Sequence, residues 1–253
     1  MKDVYQHFIF DLYGTLADIH TDEEDPRLWE QLAWYLNFRG VPVHPDALQQ
    51  DYLRLCGIYQ NKKDTALIKH GVHGPGEMDI RKVWKKLLKK HGADASKEAI
   101  EDICRLFRAL SIRKLALFDG AAEVLHALRE QRKSVFLLTN AQAVFTAPEL
   151  RYLGIVDAFD GILISSDAGV KKPSPSFFDL LMKQHRLAPS ECLMIGNDDL
   201  CDCRGAALCG IDSLYLQTEQ SPRRLHPLPK NCREIHHITD VISFVSSLDR
   251  PNN

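Results

Sequence analysis

The stretch FIFDLYGTLAD (residues 8–18) decides how the rest of the chain is read. Phe8–Phe10 is apolar without alternation, as a strand covered on both faces is. Asp11 follows at once, where such a strand ends. Gly14 permits a tight backbone turn just beyond it. An aspartate at a strand tip, close to backbone amides, can act as a carboxylate nucleophile.

Runs of the same kind recur at Val135–Leu138, Ile162–Ile164, Leu193–Ile195 and Leu214–Leu216. Helical patterns at Ala121–Glu130, Phe177–His185 and Arg204–Cys209 separate them. This rhythm predicts an α/β fold, a Rossmann-like and mostly parallel sheet with right-handed crossovers. Ligands then bind beyond the carboxyl ends of the strands.

Between the first two core strands the rhythm stops, and residues 17–116 read as helical throughout. Four stripes carry the i, i+3, i+4, i+7 spacing of amphipathic helices. They are Leu28-Trp29-Leu32-Ala33-Leu36, Leu48-Tyr52-Leu55, Ile80-Val83-Trp84-Leu87-Leu88 and Ile100-Ile103-Cys104-Phe107. Such stripes bury against one another as a small bundle, and Trp29, Trp34 and Trp84 read as its core. The expected organisation is a core domain of residues 1–16 and 117–253 with a helical cap at 17–116. The loop HGVHGPG (70–76) divides the cap, and residues 217–235 read as a surface connection before a last helix near Val241–Leu248.

Composition narrows the function classes. The 253 residues suffice for one large domain with an inserted module. Hydrophobic residues at 45% and charged residues at 26% argue against disorder. A net charge of −2 argues against a nucleic-acid or anionic-membrane partner. Seven cysteines, an odd count without regular spacing, suit reduced thiols in a cytoplasm. The opening MKDVYQHFIF has no long apolar core of a secretory signal. No run reaches the ~18 apolar residues of a membrane helix. A soluble cytoplasmic protein is the expectation; the oligomeric state stays open.

Three further strand ends carry polar residues. Thr139 and Asn140 follow Val135–Leu138 and offer hydroxyl and amide donors to an anionic oxygen. Lys171-Lys172-Pro173-Ser174-Pro175 places a lysine just before a helix whose first position suits Pro175. Asn197, Asp198 and Asp199 follow Leu193–Gly196, with Asp202 one turn on. Clustered carboxylates at one rim need a cation or a lysine to offset them, and hard oxygen ligands suit Mg²⁺.

At these residues the sequence resembles the haloacid dehalogenase-like (HAD) hydrolase superfamily. Its four motifs occur in order as DLYGTL, LLTN, GVKKPSPSFF and IGNDDLCDCRGA. The helical insertion falls where the family places a cap of its first type. The resemblance implies covalent catalysis through an aspartyl ester. Asp11 would be the nucleophile, and Thr139 and Lys172 would bind and neutralise the substrate anion, with Asn140 beside them. Lys172, next to proline, matches the motif better than Lys171. In Mg²⁺-dependent members the metal would rest on Asp11, the carbonyl of Tyr13 and the fourth motif, here Asn197 and Asp198. Asp202 would orient Lys172 or cap the next helix, and Asp199 would be exposed.

Two departures set the alternatives. Phosphatases of this family carry a second aspartate where this chain has Tyr13, and a tyrosine, with an ordinary pKa near ~10, is a poor base at neutral pH. Tyr13 resembles instead the metal-independent 2-haloacid dehalogenase branch, whose halide leaves without a proton. Yet the acidic fourth motif resembles the Mg²⁺-dependent members. Leu28-Trp29 is followed by Glu30 rather than that branch's carboxylate-binding arginine, leaving Arg27 or Arg39 as substitutes. Members of the family that cleave phosphorus–carbon bonds also lack that aspartate and add a cap lysine that forms an imine; Lys62, Lys63 or Lys69 would have to fill that place, and no motif marks any of them. The leading expectation is a Mg²⁺-dependent phosphatase of a small phosphorylated metabolite. A metal-independent 2-haloacid dehalogenase comes second, and a catalytically degenerate binding protein third.

Overall fold

In the computed structural model, which describes residues 5–72 and 74–248, all five apolar runs are strands. In chain order the elements begin β1 (His7–Phe10), β2 (Ala17–Thr21), α1 (Pro26–Phe38), α2 (Pro45–Lys69), α3 (Ile80–Lys90), α4 (Lys97–Ser111) and β3 (Ile112–Leu117). The chain continues through α5 (Ala121–Glu130), β4 (Ser134–Thr139), α6 (Ala143–Tyr152), β5 (Gly161–Ile164), α7 (Ser165–Ala168) and α8 (Pro175–His185). It ends with β6 (Cys192–Gly196), α9 (Gly205–Leu208), β7 (Asp212–Leu216), β8 (Cys232–Ile235) and α10 (Asp240–Leu248). Among the described residues no helix is long and apolar enough to cross a membrane.

The main sheet is parallel, in the order β5-β4-β1-β6-β7-β8. Its unalternating hydropathy has a direct cause. Phe8, Phe10, Val135, Leu137, Leu193 and Ile195 face a layer that includes α5 and α10. Ile9, Phe136, Leu138 and Met194 face the opposite layer, which includes α8 and α9. Both faces are dry, so both halves of the period-two pattern must be apolar. β1 lies between β4 and β6, where the strand order reverses, and the crevice at its carboxyl end is the expected place for a ligand.

The segment expected to be helical throughout is not. Ala17–Thr21 and Ile112–Leu117 pair antiparallel as a two-stranded ribbon on either side of the four helices. Both strands are largely half-exposed, so no single buried face gave them a period to read. β8 likewise appears inside the supposed surface connection; its four residues join the sheet edge through β7. α6 carries Pro148 in its interior, and a proline masks a helical pattern. His73, at the centre of the 70–76 loop, lies outside the described residues.

Helices α1–α4 bury the four expected stripes together. Trp34 is the exception, 60% exposed. At 3.6 residues per turn it points away from the face of Trp29, Leu32 and Leu36. Phe107 holds the centre, with ring centroids 5.0 Å from Tyr52, 5.5 Å from Trp84, 5.6 Å from Trp29 and 6.2 Å from Phe145 of α6. Phe107→Ala is therefore expected to lower unfolding stability by about 3–5 kcal/mol, read by urea denaturation. A loss below about 1 kcal/mol would show that the ring does not organise the bundle.

Candidate active site

Asp11 closes the first strand, its amide donating to the Ile195 carbonyl at 2.9 Å. The chain then turns sharply, with the amides of Leu16 and Ala17 both returning to the Leu12 carbonyl at 2.8 Å. Gly14 sits at φ 80°, a left-handed conformation that favours glycine. A Cβ there would also lie 2.2 Å from Nδ2 of Asn197, so two motifs meet at this residue.

Lys172 is the hub. It is 2% exposed, and its Nζ donates at 2.7 Å to Asp11 Oδ1, to Asp202 Oδ1 and to the Leu138 carbonyl. All three ammonium protons are thus satisfied. Burial alone would favour the neutral amine, but the Asp11 and Asp202 carboxylates outweigh it and hold the lysine above its ordinary pKa. Asp202 is pushed above the usual carboxylate range, first by burial; the Lys172 ammonium opposes this, and the charge of Asp11 adds to it. Two carboxylates share one cation. Lys171 turns elsewhere, to Glu77 at 3.5 Å.

Asn140 borders the same cavity, yet its carboxamide is committed. Nδ2 donates to the Lys172 carbonyl at 3.0 Å, and the Lys172 amide donates to Oδ1 at 2.8 Å. Its side chain clasps the lysine backbone rather than facing a ligand. Thr139 is different: it is fully buried, and its Oγ1 has no hydrogen-bond partner among the described residues. A buried hydroxyl without a partner is costly, and Thr139 is among the residues that border the cavity at these strand ends.

The fourth motif folds as a wide turn, Asp199–Arg204, rather than entering an α-helix directly. Asp198 caps it, Oδ1 accepting from the Leu200 and Cys201 amides at 2.9 Å. Asp202 Oδ2 accepts from the Asp198 amide at 3.0 Å. Gly196 makes this possible, since a Cβ there would lie 2.1 Å from Asp202 Oδ2. Asp199, expected to be exposed, is buried beside Arg204 at 3.7 Å because the wide turn rolls it inward.

A cavity of about 200 Å³ lies over these strand ends. Asp11, Tyr13, Thr139, Asn140, Lys172, Asn197, Asp198 and Asp202 all border it, joined by Cys201, Gln220 and Pro222. Gln220 and Pro222 gave no sign in the sequence. They belong to the connection after β7, brought over the loop by Thr218 Oγ1 donating to the Gly14 carbonyl at 3.0 Å. Arg27 and Arg39 do not border the cavity; Arg39 donates to the Tyr35 hydroxyl at 2.6 Å. Lys62 and Lys63 line a different cavity, between α2 and residues 166–169.

Tyr13 faces α6 and the helical insertion. Its hydroxyl donates to Glu149 Oε2 and lies 3.0 Å from Thr146 Oγ1. Glu149 Oε1 in turn accepts from Arg108 Nε of α4 at 2.6 Å. Burial first, then the Glu149 charge, holds the phenol proton above the ordinary tyrosine range. Sequence reading missed Arg108 and Glu149, because neither falls in a motif and the pairing spans 41 residues.

The site suits a hard divalent cation in donor type. Asp11 and Asp198 would supply carboxylates, Tyr13 a carbonyl and Asn197 an amide oxygen, which here accepts from the Thr15 hydroxyl at 3.3 Å. Among the described residues no three His, Cys, Asp or Glu side chains gather as a metal cluster. A metal here would rest on two carboxylates and neutral oxygens.

Known proteins resemble this chain over nearly its whole length. Residues 5–210 match the family described as haloacid dehalogenase-like hydrolase. The chain is 23% identical to the HAD-hydrolase YfnB of Bacillus subtilis, over 96% of this chain and 98% of that one. The solved structure of YfnB, bound to magnesium, superposes with a TM-score of 0.54 at 20% identity, covering 95% and 98%. A phosphoglycolate phosphatase of Colwellia psychrerythraea is 26% identical over 82% of each chain. The 2-haloacid dehalogenase of Pseudomonas syringae superposes with a TM-score of 0.66 at 19% identity, covering 96% and 99%.

Lys172→Met leaves two buried carboxylates facing each other without a cation. It is expected to lower stability by about 3–5 kcal/mol, and Asp11→Asn in that background should restore part of the loss. Equal stability of Lys172→Met and the parent in urea denaturation would show that the shared lysine does not hold the strand ends together.

Proposed function

The chain belongs to the haloacid dehalogenase-like hydrolase family, and on that premise we propose that it is a Mg²⁺-dependent phosphatase of a small phosphorylated metabolite. In this reading residues 17–116 form a cap over a core of 1–16 and 117–253. The observation that carries the reading is the unpartnered Thr139 hydroxyl beside an aspartate held by one oxygen only. Lys172 binds Oδ1 of Asp11, and Oδ2 has no hydrogen-bond partner among the described residues.

Asp11 Oδ2 attacks phosphorus, and the bond from phosphorus to the leaving oxygen breaks. Thr139 Oγ1 donates to a phosphoryl oxygen, and the Lys172 ammonium offsets the charge that builds up. Asp202 and Asn140 act on the lysine: one fixes its head, the other its backbone. Water then attacks the aspartyl phosphate, the bond to Asp11 breaks and the free carboxylate returns; the proton this water loses to solvent balances the one the departing alkoxide takes up from solvent. Mg²⁺, held by Asp11, the Tyr13 carbonyl, Asn197 and Asp198, would supply further positive charge against the phosphoryl oxygens. Closure of the cap excludes water from the reacting carboxylate and selects the substrate.

Tyr13 lowers the expected rate. Its hydroxyl donates to Glu149 and is not offered to a leaving group. General acid–base help is worth about 10²–10⁴-fold, so turnover of alkyl phosphates should be slow by that order. The same observation supports the second reading, a 2-haloacid dehalogenase, because halide departs without a proton. Against it stands the carboxylate surplus around Lys172, and neither Arg27 nor Arg39 borders the cavity to receive a second carboxylate.

Phosphate release from an aryl phosphate, with Mg²⁺ and with EDTA, tests the reading against halide release from 2-chloropropionate. Mg²⁺-dependent phosphate release, abolished in a folded Asp11→Asn variant, is the expected result. Halide release indifferent to EDTA would replace the phosphatase reading with the dehalogenase one. Inactivity toward both classes across broad panels would leave a binding protein.

A further inference from the structure

A second cavity, of about 350 Å³, lies between α4, β3 and α6. It shares no lining residue with the Asp11 cavity. Its size falls within the range of about 300–1,000 Å³ of small-molecule sites. Ile112, Leu115, Val144, Phe145 and Pro148 give it apolar walls. Pro148 has no N–H, so the Val144 carbonyl one turn earlier lacks its helical donor.

The charged groups at this cavity are unbalanced. Arg105, Arg108, Arg113 and Lys114 border it, against the single carboxylate of Glu149. Arg105 pairs with Glu101 at 2.7 Å, Arg113 with Asp25 and Lys114 with Asp18, none of those acids bordering the cavity. Pairs this exposed are weak and readily exchanged for a ligand anion. The fourth pair, Arg108–Glu149, is the buried one, and it leads on to Tyr13. The Arg108 guanidinium also lies 5.7 Å from the Tyr13 ring centroid. Tyr13 is two residues from Asp11.

We propose that this cavity is a second ligand site, taking a small molecule with an apolar body and one anionic group, and that its occupancy is felt in the Asp11 loop through Arg108, Glu149 and Tyr13. An anion that draws on Arg108 weakens its hold on Glu149. Glu149 is then freer toward the Tyr13 hydroxyl, and the loop from Leu12 to Leu16 changes its stability. A ligand shifts the loop only as far as it binds the two arrangements differently, so binding and loop response are separate measurements.

The probe is 1-anilinonaphthalene-8-sulfonate, whose rings supply the apolar body and whose sulfonate supplies the anion. The full chain is titrated by fluorescence and calorimetry. One-site binding is expected. Ala109→Trp, at an exposed position of α4 on the cavity wall, should weaken it by about tenfold or more. Arg113→Glu should weaken it as well, and keeps the site testable if the tryptophan disturbs the helix. Unchanged affinity in folded forms of both variants, or no binding to the parent, overturns the site. Saturating dye should alter amide hydrogen exchange across residues 12–16 in the parent and not in Tyr13→Phe, which keeps the ring and loses the hydroxyl. Exchange unmoved by bound dye in the parent, or moved equally in both, overturns the route through Tyr13.

Discussion

The Lys172 ammonium, buried between Asp11 and Asp202, is the interaction on which the molecule depends. A cation taken out of water at this depth is tolerable only with every proton matched. Its three partners come from three places: the end of β1, the end of β4 and the turn after β6. They meet at one nitrogen only because β1 lies between β4 and β6 in parallel register. Gly14 and Gly196 are glycines for the same reason, since a methyl group at either would occupy space taken by Asn197 or Asp202. The sheet order, the turns and the choice of small residues all follow from bringing charges together in a dry place.

Tyr13 gives this site its particular character. The backbone there still bends around Asp11, but the hydroxyl is tied to Glu149 of α6 and, through it, to Arg108 of α4. A carboxylate at that position would serve the leaving group. A phenol locked to Glu149 serves the architecture instead, joining the loop to the helices that lie over it. The aspartyl ester proposed for Asp11 is compatible with attack on phosphorus or on carbon. What would separate the two is the charge opposite Asp11, and here the fourth motif is acidic while no arginine among the described residues borders the cavity.

Much of this was legible in advance, and the failures have physical causes. Strands buried on both faces announce themselves as apolar runs, and Asp11 and Thr139 directly follow such runs, while Lys172 lies eight residues beyond the nearest one. The four helical stripes were equally plain, since one dry face imposes one period. The β2–β3 ribbon has no dry face and left no period. β8 is an edge strand whose pairing is supplied by its neighbour. Trp34 was assigned by residue type when its angular position on α1 already placed it outside. Asp199 depended on a wide turn that spacing alone does not announce.

By itself the amino-acid order determined which residues sit at strand ends and which faces of helices must be dry, because hydrophobic periodicity is a local property of the chain. It also placed Asp11 just beyond the first strand, because an apolar run marks where that strand ends. Only the tertiary structure decided what each polar group was paired with. Asn140 turned to the lysine backbone, Gln220 reached the cavity from a distant connection, and Tyr13 found Glu149 and Arg108. Hydrogen bonds and ion pairs are made between groups far apart in sequence, and their partners are chosen by where packing leaves them.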